Sequence, residues 1–173
     1  MNFVRVTSPD DPMFVPAMGL YQISFPVHEQ REAVSQKEIL HHEDYHFDLI
    51  YAEGVFAGVL LYWETTRFLY VEHFCIDPDL RGQRCGQRAL ELLGRKGKTV
   101  ILEIDPPGDE ISVRRKAFYE RCGYHANPYS HIHPPYHKGK QGHELVIMSY
   151  PRPLAQGEYE EFKAYLKAVV MGV

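Results

Sequence analysis

Asp77-Pro78-Asp79-Leu80-Arg81-Gly82-Gln83-Arg84-Cys85-Gly86-Gln87-Arg88-Ala89-Leu90 is the stretch whose reading decides the fold. Ahead of it, Phe68-Leu69-Tyr70-Val71-Glu72-His73-Phe74-Cys75-Ile76 is dense in β-branched and aromatic residues and stops at Asp-Pro, the pattern of a strand. Behind it, Cys85, Ala89, Leu92 and Leu93 fall on one helical face until Gly94 ends the run. Between strand and helix lies a short turn carrying Gly82, Gly86, Arg81 and Arg84. A helix that starts there presents N–H groups without intrahelical partners and the positive end of its dipole. Glycine lets the backbone approach a ligand, and the arginines add charge and donors. Such a turn is an anion cradle, suited to a pyrophosphate.

On both sides of this stretch the chain reads as ordinary globular protein. Its 173 residues suffice for one domain with a real core, and 45% hydrophobic with 24% charged residues is a globular balance. A net charge of −4 leaves no electrostatic footprint for nucleic acid, and it suits a cationic amine. The longest apolar run, Val55 to Trp63, is too short to span a membrane, and the N-terminus has no signal-peptide pattern. Cys75, Cys85 and Cys122 are odd in number and unpaired by spacing, which fits reduced thiols in a cytoplasm.

Upstream, Phe3 to Val6 alternates as a first strand, and Ser8 to Pro12 can cap a helix over Met13 to Tyr21. A second, sparser helix follows Phe25 to Gln30, with Val34 and Ile39 as its apolar contacts; this polar pair reads as a mobile flank of a site. Phe47 to Ala52, Val55 to Tyr62 and the strand ending at Ile76 are joined by tight turns, which predicts an antiparallel meander. Thr99 to Ile104 is another buried strand, reached by a helical crossover and so expected to run parallel to its predecessor. The next helix, opened by Pro106 to Asp109, has Ile111, Phe118 and Cys122 as its expected buried stripe. Tyr119, about 100° round the helix from Phe118, would leave the core and face a cleft. From Ala126 to Gly142 no period is visible, and a loop this long, rich in His131, His133, His137, Tyr129 and Tyr136, suggests function. Glu144 to Tyr150 returns to the sheet. The segment 154–173 is an amphipathic helix packing on the domain through Phe162, Leu166, Val169 and Val170, and it also offers a homodimer face.

Arg81-Gly82-Gln83-Arg84-Cys85-Gly86 resembles the R/Q-x-x-G-x-G/A signature of the GNAT superfamily of N-acetyltransferases. Arg84 stands where the first motif glycine would be, so it takes a negative φ or is strained by roughly a kcal/mol or more. A second segment, Phe118-Tyr119-Glu120-Arg121-Cys122-Gly123-Tyr124, is similar to the family's F/L-Y-x-x-x-G-F/Y. The resemblance implies a single α/β domain over residues 1–173, with a mixed, mostly antiparallel central sheet flanked by helices on both faces. It implies acetyl transfer from acetyl-CoA directly to a primary amine of a small molecule or peptide, with no nucleic-acid or membrane partner. The other class compatible with the residues is a non-catalytic CoA-binding regulatory module.

The resemblance also assigns residues. Arg81, Gly82, Gln83, Arg84, Cys85 and Gly86 would hold the pyrophosphate, with Arg115 joining the cofactor contacts. Backbone N–H groups near Phe74, Cys75 and Ile76 would polarise the thioester carbonyl, as a bulged strand does in this family. Tyr119 matches the general acid that protonates the departing thiolate. Two carboxylates interrupt apolar strands and compete as general base, Glu72, which is preferred, and Glu103, with a water relay as the alternative. Tyr70, Glu72 and Phe74 would share one strand face. Phe25, Glu29, His133 and Tyr136 are the expected acceptor contacts. His131 and His133, with His137 or His143, allow a metal reading, but solvated or substrate-contacting histidines are the expectation, with no metal.

Overall fold

A computed structural model describes residues 1–172 of the chain, which forms two compact units, Met1–Lys98 and Thr99–Val173. The first contains β1 (Asn2–Val6), α1 (Phe14–Ser24), α2 (Ala33–Glu38), β2 (Tyr45–Ala52), β3 (Val55–Glu64), β4 (Phe68–Ile76) and α3 (Cys85–Gly94). Its four strands pair in sequence order, each antiparallel to the next, as the meander pattern predicts. Between β2 and β3, Glu53 and Gly54 have φ of 50° and 82°, the consecutive left-handed pair of a tight hairpin whose twist matches its strands.

Helices cover both faces of this meander. Tyr45, Phe47 and Leu49 stand opposite Trp63, Leu61 and Val59. On that face Phe14 of α1 meets Phe47 with ring centres 5.6 Å apart, and Gln36 of α2 donates to the Tyr45 hydroxyl at 2.8 Å. On the other face His46 stacks on Tyr62, and Lys96, just past α3, lies over the same ring at 5.4 Å. The expectation that the first two helices form a mobile polar flank is overturned for α1, whose Phe14, Ala17, Leu20 and Tyr21 are core. Pro16 does not break this helix because it lies in the first turn, where an N–H has no intrahelical partner to lose. Val34 is a second correction: it is 68% exposed, and Leu40 and Gln36 take the buried positions.

The second unit contains β5 (Thr99–Ile104), α4 (Glu110–Arg121), β6 (His125–Ala126), β7 (His131–His133), β8 (His143–Tyr150) and α5 (Gln156–Tyr165), which runs into a π-helical turn, Leu166–Val170. Strand β8 is its spine, antiparallel to β5, β6 and β7. The stretch read as an aperiodic loop thus contains β7, whose two histidines flank a single isoleucine. Asn127 fixes the approach to it. Its amide donates to the Ile147 carbonyl and the Ser149 hydroxyl, and its oxygen accepts from the Leu154 N–H at 2.7 Å.

Helix α4 begins with a reciprocal cap, Asp109 accepting from the Ser112 N–H at 2.8 Å while Ser112 Oγ accepts from the Asp109 N–H. In this helix Ser112 and Tyr119 are buried, Ile111 is 70% exposed, and Phe118 and Cys122 are half-buried. The predicted stripe is therefore one residue out of phase, and Tyr119 faces inward. In the C-terminal helix Phe162, Leu166 and Val170 are buried while Val169 turns outward; the last residue assigned to that helix, Val173, lies outside the described residues.

Candidate active site

The strand, turn and helix lie where the sequence predicts them. Strand β4 ends at Ile76, Asp77 caps a short turn by accepting from the Asp79 N–H at 2.9 Å, and α3 starts at Cys85. Gly82 has φ +81°, and an added Cβ there would meet nothing within 4 Å. Arg84 has φ 58° and ψ 16°, a left-handed conformation that a glycine would adopt without strain. The side chains of Arg81, Gln83 and Arg84 are exposed around the turn, Gly86 is half-buried, and Cys85 is buried under it. The first helical bond is Arg88 N–H to Arg84 carbonyl at 3.0 Å, which leaves the N–H groups before it without intrahelical partners.

Strand β4 carries a bulge. Its register with β3 steps from Leu61 opposite His73 to Tyr62 opposite Val71, so Glu72 is the extra residue of β4 at that step. The shared face expected for Tyr70, Glu72 and Phe74 is broken as a result. Glu72 reaches the indole of Trp63, while Phe74 pairs with Leu60 on the opposite side. Phe74, Cys75 and Ile76 are paired with β3 on one edge, and alternate N–H groups point to the other edge, as in any antiparallel strand. Burial pushes the Cys75 thiol up from its ordinary range, so it is a poor thiolate source.

Around the bulge the first unit holds a buried polar cluster. Arg31 lies 2.9 Å from Glu72 Oε1, and Trp63 Nε1 donates to Glu72 Oε2 at 2.7 Å. The Glu72 side chain is 0% exposed. Tyr21 accepts from the Arg31 backbone N–H at 3.0 Å, and His73 Nε2 bonds the Glu29 carbonyl at 2.8 Å. Since a carbonyl only accepts, His73 carries its proton on Nε2. Phe25 packs edge-on against His73 with ring centres 4.8 Å apart. Phe25 and Glu29, expected to contact the acceptor, thus sit beside Arg31 and His73, which sequence reading missed. The one available signal was His73 next to Glu72 on an otherwise apolar strand.

In the second unit the remaining candidates form another cluster. Glu103 on β5 is hydrogen-bonded through Oε1 to His131 Nε2, and its Oε2 lies 3.8 Å from His133 Nε2. His131 and His133 are buried, which corrects the expectation of a solvated histidine loop. The alternation of β7 puts both rings on one face. Tyr136 packs on His133 at 4.9 Å between ring centres, and Tyr159 of α5 meets His131 Nδ1 at 3.1 Å. Tyr119 is 8% exposed, and desolvation pushes its hydroxyl up to about 12, so it stays protonated at neutral pH. Arg115 is held by Asp105 at 2.6 Å on a half-exposed surface. Among the described residues no group of three His, Cys, Asp or Glu is arranged to hold a metal ion, and no helix is long and apolar enough to cross a membrane.

A strand, a left-handed turn and a helix N-terminus, followed by Phe-Tyr-x-x-x-Gly-Tyr, define a class, and residues 14–124 match the acetyltransferase (GNAT) family profile. The chain belongs to the GNAT acetyltransferase family, with its α/β fold and mostly antiparallel mixed sheet. Among individual relatives, a GNAT-family acetyltransferase by name from Bacteroides thetaiotaomicron has 30% sequence identity and a TM-score of 0.93, over 100% of this chain and 99% of that one. The Bacillus subtilis (strain 168) protein YjbC, an acetyltransferase by name, is 29% identical over 99 residues, 56% of this chain; the match spans 50% of that curated relative's length. An aminoglycoside 6'-N-acetyltransferase solved with coenzyme A shares the fold at 14% identity, with a TM-score of 0.60 over 89% of this chain and 100% of that one.

Proposed function

We propose that this chain transfers an acetyl group from acetyl-CoA directly to a primary amine of a small molecule or peptide. The observation that carries the reading is the β4–turn–α3 cradle. Gly82 and Arg84 take left-handed conformations there, and the first turn of α3 directs N–H donors and positive dipole at one point. A fold relative solved with coenzyme A supports the choice of donor.

The reaction balances as acetyl-CoA plus R–NH3+ giving R–NH–acetyl, CoA–SH and H+. The amine must lose a proton before it attacks the thioester carbon, and the C–S bond breaks with its electron pair on sulfur. Tyr119, protonated across the working range, supplies the proton to the thiolate. For the base, the geometry favours Glu103 over the preferred Glu72. Both Glu72 oxygens accept strong donors, Arg31 and Trp63, in a side chain with no exposed surface. A proton placed on Glu72 would break a buried ion pair. Glu103 lies instead between two histidines, its Oε1 hydrogen-bonded to His131 Nε2 and its Oε2 3.8 Å from His133 Nε2.

Thiol release from acetyl-CoA with a panel of amines tests the activity. Tyr119→Phe should lower turnover about 10²- to 10⁴-fold while CoA still stabilises the fold. Gly86→Asp should abolish that stabilisation, which at a hundred times the Kd is roughly 2.7 kcal/mol. Glu103→Gln should remove the acidic limb of the pH–rate profile; Glu72→Gln doing so in its place would reverse the base assignment. Stabilisation by CoA with no thiol release for any amine would make the chain a CoA-binding module.

A further inference from the structure

Helix α3 ends against the edge of the first sheet. Phe3 of the edge strand β1 pairs with Ile50, and alternation along β2 puts Ile50 on the same face as Asp48 and His46, the ring that stacks on Tyr62. Where the last turn of α3 meets β1 on that face there is an open hollow of about 400 Å³. Met1, Asn2 and Phe3 line one side of it, and Leu92, Arg95 and Lys96 the other. The floor is apolar. Helix α3 buries Cys85, Ala89, Leu90 and Leu93, while Leu92 and Phe3 are only half-buried, so two apolar side chains line the hollow without closing it. The rim is cationic. The Arg95 guanidinium makes no hydrogen bond or ion pair among the described residues. Lys96 Nζ lies 2.6 Å from Glu64 Oε2 and 5.4 Å from the centre of the Tyr62 ring. Lys98 holds the other oxygen of Glu64 at 2.9 Å, so Lys96 can turn to a ligand without stranding that carboxylate. No acidic residue lines the hollow, in a chain whose net charge is −4. The dipole at the C-terminus of α3 favours cations there, but it gives no reason for an apolar floor beside them.

We propose that this hollow is a second binding site, for a small monocarboxylate with an apolar body. The tail lies on Phe3 and Leu92, and Arg95 and Lys96 hold the carboxylate. A guanidinium offers two parallel N–H donors to a carboxylate, a stronger and more directional pairing than a neutral hydrogen bond. Small-molecule sites run from about 300 to about 1,000 Å³, and this one lies near the lower end, which suits a short chain or a single ring. Binding is reversible and makes no covalent bond. The site is separate from the cradle. The 10 residues of α3 between Cys85 and Gly94 span about 15 Å, so CoA and the carboxylate can be bound together, whichever reaction the cradle serves.

Octanoate titrated into the full chain is the probe, followed by proton–nitrogen NMR spectra of the backbone amides. It should shift the Phe3, Leu92, Arg95 and Lys96 signals along one saturable curve. Acetate, which lacks the tail, and octylammonium, which reverses the charge, should not saturate those signals. Arg95→Met keeps an unbranched side chain at an exposed position and removes the guanidinium. It should weaken octanoate about tenfold, the loss of one charge-assisted hydrogen bond. Leu92→Gln leaves α3 with a good helix former and makes the floor polar, and it should also raise the octanoate Kd. Saturating CoA should leave that Kd unchanged. An absence of saturation with octanoate, equal binding of octylammonium, an unchanged Kd in either variant, or displacement of octanoate by CoA would each overturn the assignment.

Discussion

Arg31 and Glu72 form an ion pair at 2.9 Å in which the two side chains are only 6% and 0% exposed. Removing one member of a buried pair strands the other charge, a loss of about 3–5 kcal/mol, whereas replacing both with apolar groups is often neutral or better. Arg31→Ala should therefore lower stability by about 3–5 kcal/mol in urea unfolding. Arg31→Met combined with Glu72→Leu should recover most of that loss. A double variant as unstable as Arg31→Ala would show that the pair is not what the cluster depends on.

Arg84 holds a left-handed conformation that costs an L-residue about 1–2 kcal/mol and glycine almost nothing. Arg84→Gly should raise the unfolding midpoint by about 1 kcal/mol equivalent. It should also weaken CoA several-fold, because a cation is lost from the cradle. Calorimetric titration with CoA beside thermal unfolding separates the two effects. Stability unchanged by the glycine would mean that the turn has no strain to release.

Asp48 is the third test. Desolvation pushes this buried carboxyl from the ordinary range up to about 6, against a hydrogen bond from Tyr62 that favours its ionised form. A raised acid contributes stability that is complete below its ordinary range and lost as pH rises through about 6. Neighbouring His46, depressed to about 4 by burial first and by nearby cations, has the opposite slope. Its contribution is present above the ordinary imidazole range and lost as pH falls through about 4. Asp48→Asn removes the carboxyl's own titration. The variant should gain on the wild type between about pH 4 and about pH 7, by up to about 3 kcal/mol. Urea midpoints at constant ionic strength read the difference, and a gap flat with pH would refute the buried charge.

The strands, the cradle and the helix after it were legible because each is a local pattern. Phe68 to Ile76 is dense in strand formers, Gly82 and Gly86 mark a turn, and Cys85, Ala89 and Leu93 repeat at helical spacing. Helix α4 was legible as a helix but not in its rotation, because its apolar residues are too few to choose between neighbouring stripes; packing buries Ser112 and Tyr119. Strand β7 was missed because three residues between prolines, glycines and polar residues carry too little periodicity. It exists through its pairing with β8.

The sequence by itself determined the family. The strand, glycine-bearing turn and helix start are contiguous backbone, and a local pattern of neighbouring residues suffices to write them. It also showed the Phe118 to Tyr124 segment, with Tyr119 inside it. Only the tertiary structure decided what Glu72 and Glu103 are. Both read alike, as single carboxylates on apolar strands, yet one is locked by Arg31 and Trp63 and the other stands between His131 and His133. Those partners lie nine to forty-one positions away along the chain. A carboxylate's chemistry is set by the donors and charges within a few ångströms of it, and folding, not spacing, brings those together.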